Sequence, residues 1–231
     1  MQRTPFCGFH FLLSPCQTLR HEHEFGMRSD IRGSMVGENR TRPTMSNKEN
    51  KMSKNNLATL PPFAQGRSLE NSRWYMGNMM TFLVNSEQTD GAFSMTEYLS
   101  KPGNEPPAHV HDREDEFVYV LEGRIDAYIG KETFSAGKNE GVYFPKFTPH
   151  TFRILTPQLR MLIWMSPGGF EGYFRDMSGP ARSLDLPEHA VNYGEVDMDH
   201  AIRKGREHGI SFLTPEEIRQ QMPPLAKLLA L

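Results

Sequence analysis

The sequence predicts an all-β protein built on a single barrel of short antiparallel strands. Two observations carry that prediction. From about residue 57 to residue 166, short apolar or alternating runs recur at even spacing, separated by Gly, Pro, Asn and Asp-Gly clusters. No long amphipathic helix interrupts them. Such runs build sandwiches and barrels, whereas a parallel sheet needs a helix between successive strands.

By texture the 231-residue chain divides into three stretches. Residues 1–56 show no apolar period and are rich in Asn, Arg, Ser, Thr, Lys and Met. That composition buries too little apolar surface to offset its ordering entropy, so a disordered tail is expected. Met27, Met35, Met45 and Met52 each offer an alternative start, so part of the tail is expected to be an over-extended beginning. Residues 57–177 hold the barrel runs: SRWYM, MMTFLVN, AFSMTEYLS, EFVYVLEG, RIDAYIG, ETFSAG, GVYFP, TFRIL and RMLIWMS. After Pro167 the pattern turns helical, with Phe170, Tyr173 and Phe174 at i, i+3 and i+4 on one face of a short helix. Residues 178–231 read as a helical C-terminal extension, in which Thr214, Pro215 and Glu217 form a helix-start signature. No internal repeat appears, so one barrel is expected.

The formal net charge is −2, spread as +4 over residues 1–56 and −6 over the rest. That balance gives no reason to expect nucleic acid or an anionic membrane as a partner, and no apolar window is long enough to span a bilayer. The two cysteines, Cys7 and Cys16, both lie in the tail. The barrel therefore forms no disulfide, which fits a reducing, cytoplasmic setting. The alternative is export of the longest form, because Arg3 and the apolar run Phe6 to Leu13 faintly resemble a signal peptide.

The chemistry-bearing stretch is GNEPPAHVHDREDEFVYVLEG, residues 103–123. On a strand, alternate residues share a face, so His109 and His111 project together. Glu116 has the opposite parity and joins them only if Asp112, Arg113, Glu114 and Asp115 make a turn. It then opens the next strand with Val118 and Val120 on its own face. FPKFTPH supplies a third histidine, His150. Imidazole and carboxylate together suit a divalent transition metal, one of Fe, Mn, Ni, Co, Cu or Zn, and not Ca or Mg. The bland alternative is a barrel that uses these residues for hydrogen bonds. His21-Glu22-His23-Glu24 in the tail reads as a solvated charge run, and His189, His200 and His208 follow no ligand spacing.

These residues resemble the two motifs of the cupin superfamily. Gly103, His109, His111, Glu116 and Gly123 meet every spacing of the first motif. Gly141, Pro145 and His150 meet the second more loosely, with Phe147 where glycine is usual and Ile154 where asparagine is usual. Within the superfamily, PPAHVHDREDEFVYVLEG, FPKFTPHTFRI and SPGGFEGYFRDM are most similar to single-domain cupins of the quercetin 2,3-dioxygenase kind. The resemblance implies a jelly-roll barrel that binds a metal on His109, His111, Glu116 and His150. It also implies a small-molecule substrate and O₂ as partners, and a homodimer.

Glu116 would double as the catalytic base, its pKa raised by an apolar pocket. Phenylalanine resists a left-handed backbone, so the turn at Phe147 is expected to differ from the usual one, with the ring over the pocket mouth. Phe117, Tyr119, Phe144, Phe152 and Trp164 are either barrel core or substrate clamp; Phe170, Tyr173 and Phe174 either seal the barrel or shape its pocket. The resulting expectation is a metal-dependent dioxygenase acting on a phenolic or enolic, flavonol-like molecule. The alternatives are a metal-dependent isomerase or lyase acting on a sugar or keto acid, and a non-catalytic binding barrel.

Overall fold

The computed structural model describes residues 60–188 and 197–231; the expected disordered tail and its HEHE run lie outside the described residues, as does His189. Twelve strands are described, and ten of them form the barrel expected from the sequence: β1 Ser72–Tyr75, β2 Asn78–Val84, β3 Ser94–Ser100, β4 His109–His111, β5 Asp115–Glu122, β6 Arg124–Ile129, β7 Glu132–Gly137, β8 Gly141–Phe144, β9 His150–Ile154 and β10 Leu159–Ser166. Helix α1 (Glu171–Asp176) follows, then strand β11 (Gly179–Pro180), helix α2 (Met198–Glu207), strand β12 (Ile210–Phe212), and helices α3 (Pro215–Gln221) and α4 (Pro223–Leu228).

The strands form two antiparallel sheets, consistent with a jelly roll. One runs β11-β1-β2-β3-β10-β5-β8 and the other β12-β4-β9-β6-β7. Their inner faces share one core, seen in the period-two burial of β5, where Glu116, Val118 and Val120 are buried and Phe117 is exposed. Strand β10 alternates likewise, burying Leu159, Met161, Ile163 and Met165. A residue facing inward removes its apolar surface from water, at about 25 cal/mol per Å², and this burial fixes the register of both strands.

Between β5 and β6, Gly123 has φ +93, and a side chain there would collide with the Gln158 carbonyl and the Thr156 hydroxyl. Only glycine fits both the backbone and the space.

The segment after residue 177 is not only helical. It returns β11 to the edge beside β1 and β12 to the edge beside β4. Strand β4 is three residues long and pairs with β9 only at His109↔His150. Strand β12 pairs along the whole length of β4, as Ile210↔His111, Ser211↔Val110 and Phe212↔His109, and so satisfies backbone groups that would otherwise lie open. The expected start of α3 is present: Thr214 and Glu217 form a reciprocal capping box with Pro215 in the first turn. Helices α3 and α4 bury Ile218, Met222 and Leu225 against Ala108 and Tyr128.

Candidate metal centre

The four predicted donors come from both sheets. Strands β4 and β9 carry His109, His111 and His150, and β5 of the facing sheet carries Glu116. One potential ligand atom from each lies within 4.8 Å of the others, and all four residues are buried. Glu116 Oε2 stands 3.4 Å from His150 Nε2 and 3.7 Å from His111 Nε2. The ring centroids of His109 and His150 are 4.4 Å apart, because the two residues are direct cross-strand partners.

The cluster fits a divalent transition metal. His109 Nδ1 lies 2.7 Å from Pro107 O and His150 Nδ1 lies 2.8 Å from Thr148 O. A carbonyl only accepts, so Nδ1 carries the hydrogen in both rings, and in the neutral ring Nε2 keeps its lone pair. His150 Nε2 is buried with no hydrogen-bond partner, an expensive state for a polar atom unless a further partner takes it. Burial, followed by the His150 and His111 charges, holds the pKa of His109 well below the usual value. Its imidazole is therefore neutral, which is the ligating form.

Glu116 departs from expectation. Burial alone pushes its pKa up, but the close approach of the His150 imidazole at 3.4 Å, with that of His111, outweighs burial and holds it below the usual carboxylate value. The predicted rise does not occur, because the imidazoles of His150 and His111 stand against the carboxylate where an apolar wall was anticipated. Glu116 is a carboxylate at neutral pH and is ready to ligate or to accept a proton.

The turn before His150 also departs from expectation. Phe147 adopts the left-handed backbone, φ +61, that glycine would have taken. Its amide donates to His111 O at 2.7 Å, and the Lys146 amide donates to Asp115 Oδ1 at 3.1 Å, so two bonds from the first motif hold the turn. The strain of a non-glycine residue there is about 1–2 kcal/mol. The ring itself points to solvent, 67% exposed, and does not line the cavity.

The donors open onto a cavity of about 60 Å³. Of the predicted pocket residues, Phe152, Phe170 and Phe174 line it. Trp164 does not: it faces outward on β10, 41% exposed, and stacks on Phe93 with centroids 4.6 Å apart. Phe117, expected with Trp164 in the aromatic core, is its outward-facing cross-strand partner. Tyr173 lines it with Phe170 and Phe174, and the remaining apolar wall includes Tyr75, Ile210 and Phe212, which were not among the predicted pocket residues. The Phe170 ring sits edge-on to His111 at 4.4 Å. The three-residue run ISF between α2 and α3 was the only local sign of β12, too short to separate from a loop.

The family pattern of the cupin domain matches residues 97–165. The polyketide synthase CurC of Streptomyces cyaneus is 30% identical over 110 residues, covering 46% of this chain and 70% of that protein. The chain belongs to the cupin family. Quercetin 2,3-dioxygenase of Bacillus subtilis (strain 168) is 25% identical to this cupin over 119 residues, which are 51% of this chain but only 35% of that enzyme. Among solved structures, KdgF from Halomonas sp. matches with a TM-score of 0.38 and 16% identity, over 48% of this chain and 91% of that one.

No helix among the described residues is long and apolar enough to cross a membrane.

Proposed function

We propose that this cupin is a metal-dependent dioxygenase that oxidises a small phenolic or enolic molecule with O₂, as its relative named quercetin 2,3-dioxygenase suggests. One observation carries the reading: three histidines and a glutamate, all buried, bring ligand atoms within 4.8 Å of one another in a cavity also walled by Phe152, Phe170, Phe174 and Phe212. His109, His111, Glu116 and His150 would hold the ion. A bound divalent ion would supply Lewis acidity, lowering the pKa of a substrate hydroxyl. Glu116, ionised and buried beside it, accepts the hydroxyl proton at a carboxylate oxygen. Beside a bound cation a carboxylate is a weak base, so the substrate must be acidic for the transfer to go forward. Phenols and enols meet that condition better than sugars do. The aromatic wall excludes water and covers the flat face of an unsaturated ligand.

Cavity size limits the substrate. The cavity beside the four residues measures about 60 Å³. A compact enolic compound fits that space more readily than a three-ring flavonol, which would require α1 or β12 to move.

The test is O₂ uptake by purified protein loaded separately with Fe, Mn, Co, Ni, Cu and Zn, against compact enols, simple phenols and flavonols. Uptake greatest with the compact substrates is expected. No uptake with any metal sinks the dioxygenase reading, and turnover under strict anaerobiosis replaces it with isomerase or lyase chemistry.

A further inference from the structure

The three imidazoles of the cluster are held from behind in two different ways. His109 and His150 each have a backbone carbonyl at Nδ1. His111 has a carboxylate: its Nδ1 faces Glu114 Oε2 at 3.5 Å. Both atoms are buried, and neither has a hydrogen-bond partner. The distance is that of an ion-pair contact and is longer than a good hydrogen bond.

Glu114 is the unexpected member of its turn. Its neighbours Asp112 and Arg113 are exposed, as a charged connection between two strands should be. Glu114 is only 4% exposed, its side chain turned inward behind the 1%-exposed ring of His111. Taking a carboxylate out of water is costly unless another group answers its charge. In a metal site, a carboxylate behind a ligating imidazole fixes the tautomer and ring orientation and makes the ligating nitrogen more basic.

We propose that Glu114 is the positioning residue of this centre, holding His111 with Nδ1–H towards its own carboxylate and Nε2 towards Glu116 and His150. The inference rests on the metal-binding reading of the cluster and extends it to a side chain that donates nothing to the ion. It also places two carboxylates, Glu114 and Glu116, around a site for a doubly charged cation, which matches the charge of the guest.

The test uses Co²⁺ alone as the probe, titrated into the full chain, and ring ¹⁵N shifts recorded on the metal-free protein. In wild type, all three histidines should be single Nδ1–H tautomers. Glu114→Gln keeps the size of the side chain, loses its charge, and can donate as well as accept. Co²⁺ should bind this variant roughly 10–100-fold more weakly. His111 should become a mixture of tautomers, while His109 and His150 keep theirs because their carbonyl partners remain. Glu114→Ala should give the same mixture, which covers the case of either variant folding poorly by thermal melt. His111 remaining a single Nδ1–H tautomer in both variants overturns the proposal, whatever the Co²⁺ affinity. If wild type takes up no Co²⁺, the metal-binding reading fails by itself; the tautomer comparison, made without metal, still decides whether Glu114 orients His111.

Discussion

The donor cluster and the apolar wall beside it are made from different kinds of chain. The donors sit on or next to barrel strands, and pairing fixes their positions: His109 opposite His150, and Glu116 opposite Phe144 and Met165. Much of the wall arrives later in the chain, from α1 with Phe174, from Phe170 just before it, and from β12 with Ile210 and Phe212. Backbone pairing in the strand scaffold positions the four residues, whereas the wall is packed on and can vary separately. A change to the donors should therefore alter metal binding without unfolding the barrel, and a change to the wall should alter stability and substrate choice without emptying the centre.

The largest effect expected is for His111→Ala. Metal analysis should find loading abolished, and circular dichroism should find the barrel folded, because β4 keeps its backbone pairing with β12. Unfolding of this variant would mean that the ion holds the scaffold together and would erase the distinction.

Next comes Glu116→Gln, which keeps three imidazoles. Some metal should remain by elemental analysis, while turnover falls on the order of 10²–10⁴-fold, the usual contribution of a positioned base. Unchanged rates would remove Glu116 from the proton transfer.

On the wall side, Phe170→Ala removes a ring that is 3% exposed and packed against His111. Chemical denaturation should show a loss of about 3–5 kcal/mol, with Co²⁺ uptake retained. Loss of uptake would show that the wall and the donors are one unit.

A smaller effect concerns how α1 is anchored. Glu171 accepts from the amides of Ser86 at 2.6 Å and Gly169 at 2.8 Å. Burial opposes its ionisation, but these hydrogen bonds prevail and hold its pKa below the ordinary 4.5. A depressed folded-state pKa stabilises the fold above the unfolded value and is lost as pH falls through the folded one. The stability advantage of wild type over Glu171→Gln should accordingly be full above about pH 4.5 and shrink below it, as measured by melts across pH 3–7. A difference that stays constant with pH would separate α1 anchoring from the charge of Glu171.

The smallest effect isolates the Phe147 backbone. Phe147→Gly should be more stable than Phe147→Ala by about 1 kcal/mol, since both lose the exposed ring and only glycine relieves the left-handed conformation. Equal stabilities would mean that the bonds from His111 and Asp115 impose no strain there.

The four-residue cluster was legible in two local pieces, and the resemblance to the two cupin motifs joined His150 to the other three. A strand's two-residue period puts His109 and His111 on one face, and a charged turn lets Glu116 join them from the facing sheet. Glu114 left a fainter local sign: it shares parity with Glu116 and Val118 on the inward face, yet four charged residues in a row read as solvated. Trp164 was misplaced because an aromatic residue in an alternating run belongs to the core or the outside depending on a register shift of one residue. For Phe147, residue preference disfavoured the left-handed turn, and hydrogen bonds from the first motif overrode it.

Thus the barrel strands, and the four residues that the fold gathers into one buried cluster, could be read from the chain alone. These follow from short-range period, turn chemistry and ligand type, each readable within a few residues. Contacts between distant segments set which side chains wall the cavity, where Glu114 points and in which direction the pKa of Glu116 moves. Each of those depends on what a distant segment brings alongside: β12 beside β4, α1 over His111, and the imidazoles of His150 and His111 against one carboxylate.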